Sequence, residues 1–200
     1  MWRWACSIAA ALIIWPSISW PHPRTVVPRQ AALYRATVIR EVRFYWGMAE
    51  RPSTFLGQIH QESGFREDAR SPVGAEGLSQ IMPRTGAWLW EIYPADLREA
   101  CPQMSGCPRD AKWAIRALVL FDKRLYDSYR FAIGDDRWAW TLASYNGGSG
   151  NANKEKRLCP CDKNRWFGSV ENFCLRTAAN CRENRGYPRR ILLELRHHYE

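Results

Sequence analysis

Glu62 has the surroundings in this sequence that most favour proton chemistry. It closes a stretch, 52–62, in which Pro52 suits a first helical turn and Phe55, Leu56 and Ile59 recur at helical spacing. Lying seven residues after Phe55 and three after Ile59, its carboxyl falls on or beside the buried face of that helix. Ser63, Gly64 and Phe65 follow, with Gly64 as the expected helix stop. A carboxylic acid with few water neighbours holds its proton, because desolvation disfavours the charged form. Such an acid, protonated near neutral pH, can protonate a leaving group. A glutamate in this position could instead cap the helix or pair with a cation, so its neighbours decide.

Those neighbours form four elements. Gln61-Glu62-Ser63-Gly64-Phe65 comes first, then Ser71-Pro72-Val73-Gly74-Ala75-Glu76-Gly77-Leu78-Ser79-Gln80-Ile81-Met82-Pro83 with Thr85. Ala143-Ser144-Tyr145-Asn146-Gly147-Gly148 and Tyr187-Pro188-Arg189-Arg190-Ile191 follow. In order and content they resemble the signature of the soluble lytic transglycosylases, goose-lysozyme-like cleavers of peptidoglycan, across roughly residues 50–195. The resemblance implies that Glu62 is the sole catalytic acid and base, that Ser63 and Tyr187 hydrogen-bond around it, and that Gln80, Tyr145 and Asn146 line the glycan cleft. The residue chemistry is compatible: amides bond sugar hydroxyls and acetamido groups in both directions, and a tyrosine adds an apolar ring face.

The sequence departs from the family pattern in places. Ser79 stands where the family usually has Met, so an apolar wall of the sugar site is expected to be lost or supplied elsewhere. Ser144 and Gly147 replace alanines, which should loosen packing behind Tyr145. Pro188 replaces a valine and, with its fixed φ, is expected at a helix start.

To position these groups the chain needs helices. Apolar periodicity predicts them over 31–46, 52–62, 83–92, 110–129, 135–145 and 188–199, with loops at 64–74, 101–107 and 147–165. The stripe Trp113, Ala117, Phe121, Leu125 and Tyr129 reads as core. No stretch alternates like a strand and no 20–50-residue repeat occurs. The expected fold is mainly α: a single lysozyme-like helical domain with a cleft, stapled by disulfides.

Composition bounds the rest. With 200 residues, 46% hydrophobic and 24% charged, the chain suits one folded domain and excludes disordered, collagen-like and polytopic membrane classes. Residues 1–19, with Arg3, an apolar run and Ser17-Ile18-Ser19, resemble a secretory signal, with an uncleaved anchor as the alternative. A linker is read over 20–30 and the catalytic domain over 31–200. Removing 1–19 takes away Arg3 and Cys6, lowering the net charge from +9 to +8 and leaving six of seven cysteines. Six cysteines in an oxidising compartment read as three disulfides. Cys101 and Cys107 should pair, and Cys159 and Cys161 should join Cys174 and Cys181 rather than each other. No metal or cofactor is implied, since Cys159-Pro160-Cys161 is too tight for zinc.

Three rival readings accompany the main one. His60-Gln61-Glu62 satisfies half of a zinc nucleobase-deaminase signature, but the Cys-x-x-Cys half is missing. The basic charge would suit a noncatalytic nucleic-acid binder, although charge runs are usually solvated faces. A muramidase would keep the cleft and use water. The expected protein is a monomer, periplasmic or secreted, that acts on peptidoglycan strands and not on nucleic acid, in wall remodelling, phage entry or lysis, or the assembly of a wall-spanning secretion or conjugation apparatus. The expected product has 1,6-anhydro ends, because the carboxylates nearest Glu62 in sequence, Glu67, Asp68 and Glu76, lie in a polar loop.

Overall fold

The computed structural model describes residues 26–104 and 107–200; the proposed signal or anchor, and 20–25 of the linker, lie outside them. Eight α-helices are present among the described residues: α1 (Ala31–Trp46), α2 (Pro52–Ser63), α3 (Pro83–Ile92), α4 (Pro94–Ala100), α5 (Ala111–Asp127), α6 (Gly134–Gly147), α7 (Ser149–Leu158) and α8 (Ala178–Leu193). The same residues contain no strand, only isolated bridges of Glu76 with Arg70 and Ile81 in the loop after α2.

The fold is organised around α5. Asp110 caps it by accepting the Trp113 N–H at 2.8 Å, and Trp113, Ala114, Ala117, Leu118 and Leu125 are buried along its length. Against it lie α1, through Val38 and Val42, and α6, through Ala139, Leu142 and Ala143. Helix α8 spans the far side, touching α6 and α2. An internal ion pair, Arg116 Nε to Glu41 Oε2 at 2.8 Å, ties α5 to α1. Of the expected α5 stripe, Phe121 alone is not fully enclosed: it is half-buried. Most of the described tryptophans serve the core: Trp113, Trp140 and Trp166 are fully buried, and Trp46 stacks on Trp138 with centroids 5.0 Å apart.

The structure corrects several expectations. The 147–165 loop contains α7, whose sequence is polar because only Ala152 and Glu155 point inward. Helix α4 has seven residues, too few for a periodic signal. Pro188 does not start a helix; it lies inside α8, which begins eleven residues earlier at the Thr177 cap, whose hydroxyl accepts the Asn180 N–H. The predicted 188–199 helix is the end of α8 plus a 3₁₀ turn, Leu195–His198.

Cys101 pairs with Cys107 as expected. Cys159 pairs with Cys161, and Cys174 with Cys181, contrary to the expected cross-pairing. Cys159 ends α7 with its N–H on Glu155 O, and the chain turns through Pro160, bringing the Cys159 and Cys161 Cα atoms to 5.2 Å. Cys181 sits in the first turns of α8 facing Cys174, with Cα atoms 5.9 Å apart. Both spans suit a disulfide.

Candidate active site

Glu62 is placed by the last turn of α2, which Gly64 ends in the left-handed conformation (φ 60°). The loop that follows folds back over the helix end. Ser63 shares its hydroxyl between Ile59 O (3.3 Å) and Leu78 O (2.9 Å), pinning the loop to α2. At Gly77 (φ 73°) a Cβ would come 1.8 Å from Pro108 O, so only glycine lets the loop lie against the turn that the Cys101–Cys107 bridge holds. Gln80 follows at φ 47°, a strained value for a side-chain-bearing residue. Its amide nitrogen donates to Ala69 O (3.1 Å) and Gly77 O (2.9 Å), and this pair of bonds holds the strained turn.

The loop, α5, α6 and α8 together enclose a cleft of about 230 Å³. Glu62, Ser71, Gln80, Thr85, Tyr145, Asn146 and Glu183 form its polar lining, with Val73, Ala75, Ile81, Met82 and Phe121 as apolar wall. Of the six residues expected at the site, Glu62, Gln80, Tyr145 and Asn146 meet here. Tyr187 is buried behind the cleft and donates its hydroxyl proton to Glu62 Oε1. Ser63 faces the loop backbone and not the cleft, which makes it a positioning residue.

The hydrogen bonds already made restrict what each group can offer a ligand. Both amide hydrogens of Gln80 are engaged, leaving its carbonyl oxygen as an acceptor. Tyr145 gives its hydroxyl to Ser79 O at 2.7 Å, so it presents its ring, which packs at 5.2 Å from that of Phe121. Ser79 itself is fully buried and forms no part of the cleft wall; Met82, Val73 and Phe121 supply the apolar surface. Ser144 does not loosen the packing behind Tyr145, because its hydroxyl bonds the Tyr129 hydroxyl at 2.6 Å.

Asn146 is held by a clasp reaching in from the cysteine-bearing segment. Glu155, buried on α7, accepts from Arg176 Nε (3.1 Å) and Arg185 Nη2 (2.7 Å). Arg176 Nη2 continues to Asn184 Oδ1 (2.8 Å), and Asn184 Nδ2 to Asn146 Oδ1 (2.9 Å). Gly147 makes room for this: a Cβ there would lie 2.0 Å from Arg176 Nη1. Arg176 belongs to the segment closed by Cys174 and Cys181.

Electrostatically Glu62 is an acid. Burial pushes its carboxyl up to about 8, the Tyr187 hydrogen bond opposes the rise, and the negative charge of Glu183 adds to it. Glu183 is a cleft carboxylate that the sequence reading does not single out. It lines the same cleft, accepts from Asn146 Nδ2 at 3.3 Å, and lies four residues before Tyr187 on α8. That spacing puts both residues on one helix face, a signal hidden by the expectation that the helix begins at Pro188. Glu67, Asp68 and Glu76, the carboxylates weighed from sequence, do not line the cleft.

His60 turns away from the cleft to Tyr199, whose hydroxyl meets Nδ1 at 2.8 Å. Among the described residues no group of three or more His, Cys, Asp and Glu is arranged to hold a metal ion. No described helix is long and apolar enough to cross a membrane.

With this geometry established, comparison with known proteins identifies relatives. The family model of the transglycosylase SLT domain matches residues 47–160. Among solved structures the chain is similar to an inactive mutant of lytic transglycosylase Slt from Pseudomonas aeruginosa, at 22% identity and TM-score 0.59, covering 80% of this chain and 22% of that one. It is similar to the 70 kDa soluble lytic transglycosylase of Escherichia coli, at 22% identity and TM-score 0.55, covering 80% and 23%. A 70 kDa soluble lytic transglycosylase in complex with bulgecin A matches at 21% identity and TM-score 0.60, covering 86% and 25%. The chain thus spans about a quarter or less of the length of these proteins, and at such identities the likeness is one of fold.

Proposed function

The chain belongs to the transglycosylase SLT domain family, and on that premise we propose that it cleaves the β-1,4 bond between N-acetylmuramic acid and N-acetylglucosamine in peptidoglycan, leaving 1,6-anhydromuramic ends. The observation that carries this reading is Glu62: a cleft carboxyl held protonated to about pH 8 by burial, with a tyrosine hydroxyl on one oxygen.

Protonated Glu62 gives its proton to the glycosidic oxygen as the C1–O bond breaks, and the leaving sugar departs with a free hydroxyl. The carboxylate thus formed keeps the Tyr187 hydrogen bond, which favours the charged form. It then takes the proton of the muramic C6 hydroxyl while that oxygen closes on C1, and the acid is regenerated. The Gln80 carbonyl accepts from a sugar hydroxyl or acetamido N–H, and the Tyr145 ring and Met82 pack on the apolar sugar face.

The substrate places the protein outside the cytoplasm, in keeping with residues 1–19 acting as a secretory signal or anchor. A monomer acting on glycan strands, alone or within a wall-spanning apparatus, fits this reading. Glu183 favours a second one, in which it activates a water and the same bond is hydrolysed.

The test of catalysis by Glu62 is Glu62→Gln, assayed by clearing of purified sacculi. The amide keeps the shape without the proton, and loss of general acid–base catalysis costs about 10²–10⁴-fold. More than a tenth of the activity remaining would move the catalytic role elsewhere.

A further inference from the structure

Gln58 and Asp122 are fully buried behind the cleft, and the reaction just described uses neither. Gln58 lies on α2 four residues before Glu62, on the same helix face. Asp122 lies on α5 next to Phe121, which lines the cleft. Gln58 Nε2 donates to Asp122 Oδ1 at 3.4 Å. The other two polar atoms of the pair, Gln58 Oε1 and Asp122 Oδ2, have no hydrogen-bond partner among the described residues.

These two orphans share a chemical character. An amide oxygen and a carboxylate oxygen both accept and neither donates, so what both orphans lack is a donor. One proton supplies it. Placed on Asp122 Oδ2 it makes that atom a donor, the kind of partner that Gln58 Oε1 lacks beside the Nε2–Oδ1 bond already present. No cation pairs with Asp122 among the described residues, so an ionised form would be an uncompensated buried charge. Burial pushes the Asp122 carboxyl well above its usual range, in the same direction. The titratable groups whose charges bear on it are Glu62 of α2, Tyr145 of α6 and Tyr187 of α8. Each of these is an acid, and none brings a positive charge.

We propose that Asp122 is a positioning residue beneath Glu62: a neutral carboxylic acid that closes a hydrogen-bonded pair with Gln58, fixes the turn of α2 carrying Glu62, and presents no charge to it. Neutrality matters to the cycle that Glu62 performs. Glu62 must release its proton and persist as a carboxylate until the second step, and an ionised Asp122 in the same water-poor region would oppose that release. The proposal rests on Glu62 being the acid, but the protonation state of Asp122 can be read without any activity.

The test compares Asp122→Leu with Asp122→Asn in the full chain, with kcat and KM referred to the folded fraction measured by circular dichroism. Leu leaves the Gln58 amide unpaired, and kcat should fall about tenfold or more while KM changes less than about twofold, as expected when a reacting group is misplaced. Asn restores one donor and one acceptor in the same shape and should rescue kcat. The alkaline limb of the Asn variant's kcat/KM profile should stay within about 0.3 pH units of the wild type, since a neutral residue replaces a neutral residue. A wild-type kcat in the folded Leu variant would overturn the positioning role. A limb moved to lower pH by about one unit or more in the Asn variant would mean that Asp122 is ionised, which overturns the proposal. Infrared spectroscopy in the Glu62→Gln background provides the independent readout: a protonated-carboxyl stretch at pH 7 that Asp122→Asn removes is expected. Its absence overturns the proposal whether or not the enzyme cuts glycan, and its presence upholds neutral Asp122 even if the proposed reaction fails.

Discussion

Replacing Glu62 by Gln should make the fold more stable, and increasingly so as the pH rises. The folded-state carboxyl lies at about 8 and the ordinary glutamate at 4.5. Between those values the unfolded chain carries an ionised Glu62 and must take up a proton to fold, so this group's contribution to stability falls as pH rises through that window and levels off above pH 8. At 1.36 kcal/mol for each pH unit, the loss between pH 5 and pH 8 is about 4 kcal/mol. The Gln side chain has no such dependence, and its carbonyl oxygen can still accept the Tyr187 hydroxyl. Asp122, also raised, contributes to both proteins and cancels in the difference. The assay is urea unfolding of both proteins, disulfides intact, at pH 5 and pH 8. The stability advantage of Glu62→Gln should grow by about 4 kcal/mol between the two. An advantage independent of pH, or a variant less stable than wild type at pH 8, would refute the claim that Glu62, half-buried at the cleft, is held as an acid.

Tyr187→Phe removes the donor that favours the Glu62 carboxylate, so the alkaline limb of kcat/KM should move up by about one pH unit and kcat should fall about tenfold; a limb moving down would contradict the assigned role. Gly147→Ala places a Cβ 2.0 Å from Arg176 Nη1 and 2.5 Å from Asn184 Nδ2, which must open the clasp on Asn146. Steady-state kinetics should then show KM raised about tenfold with the pH limb of Glu62 unmoved, since a substrate contact worth about 1.5 kcal/mol is lost.

Much of this architecture was legible in the chain, for reasons visible in particular residues. Pro52 and Pro83 each open a helix where proline belongs, and Gly47 and Gly64 follow the ends of α1 and α2. The remaining features have a weak local signal or one that a competing signal masks. Helix α7 is held by the burial of Glu155, a residue that periodicity counts as solvent-facing until its two arginine partners from 176 and 185 are brought to it. The local rule for Pro188 points to a helix start, whereas α8 starts at a threonine cap eleven residues upstream. The cysteine pairing depended on how the chain turns at Pro160, which spacing alone does not encode. At the site, Glu62, Gln80, Tyr145 and Asn146 were found because each lies in a compact motif. Glu183 shares a helix face with Tyr187, a spacing that a helix start at Pro188 conceals, and tertiary packing alone brings Asp122 to Glu62.

The number of carboxylates that take part in the chemistry is the point on which the proposed mechanism stands. With Glu62 alone acting, glycan cut from purified sacculi should end in 1,6-anhydromuramic residues, lighter by one water than hydrolysed ends and without a reducing group. Mass spectrometry of the digest, before and after borohydride reduction, reads this directly, and Glu183→Gln should leave the same ends. Chiefly hydrated, reducible ends from the wild type, lost in Glu183→Gln, would contradict the account and make Glu183 the second carboxylate of a hydrolase.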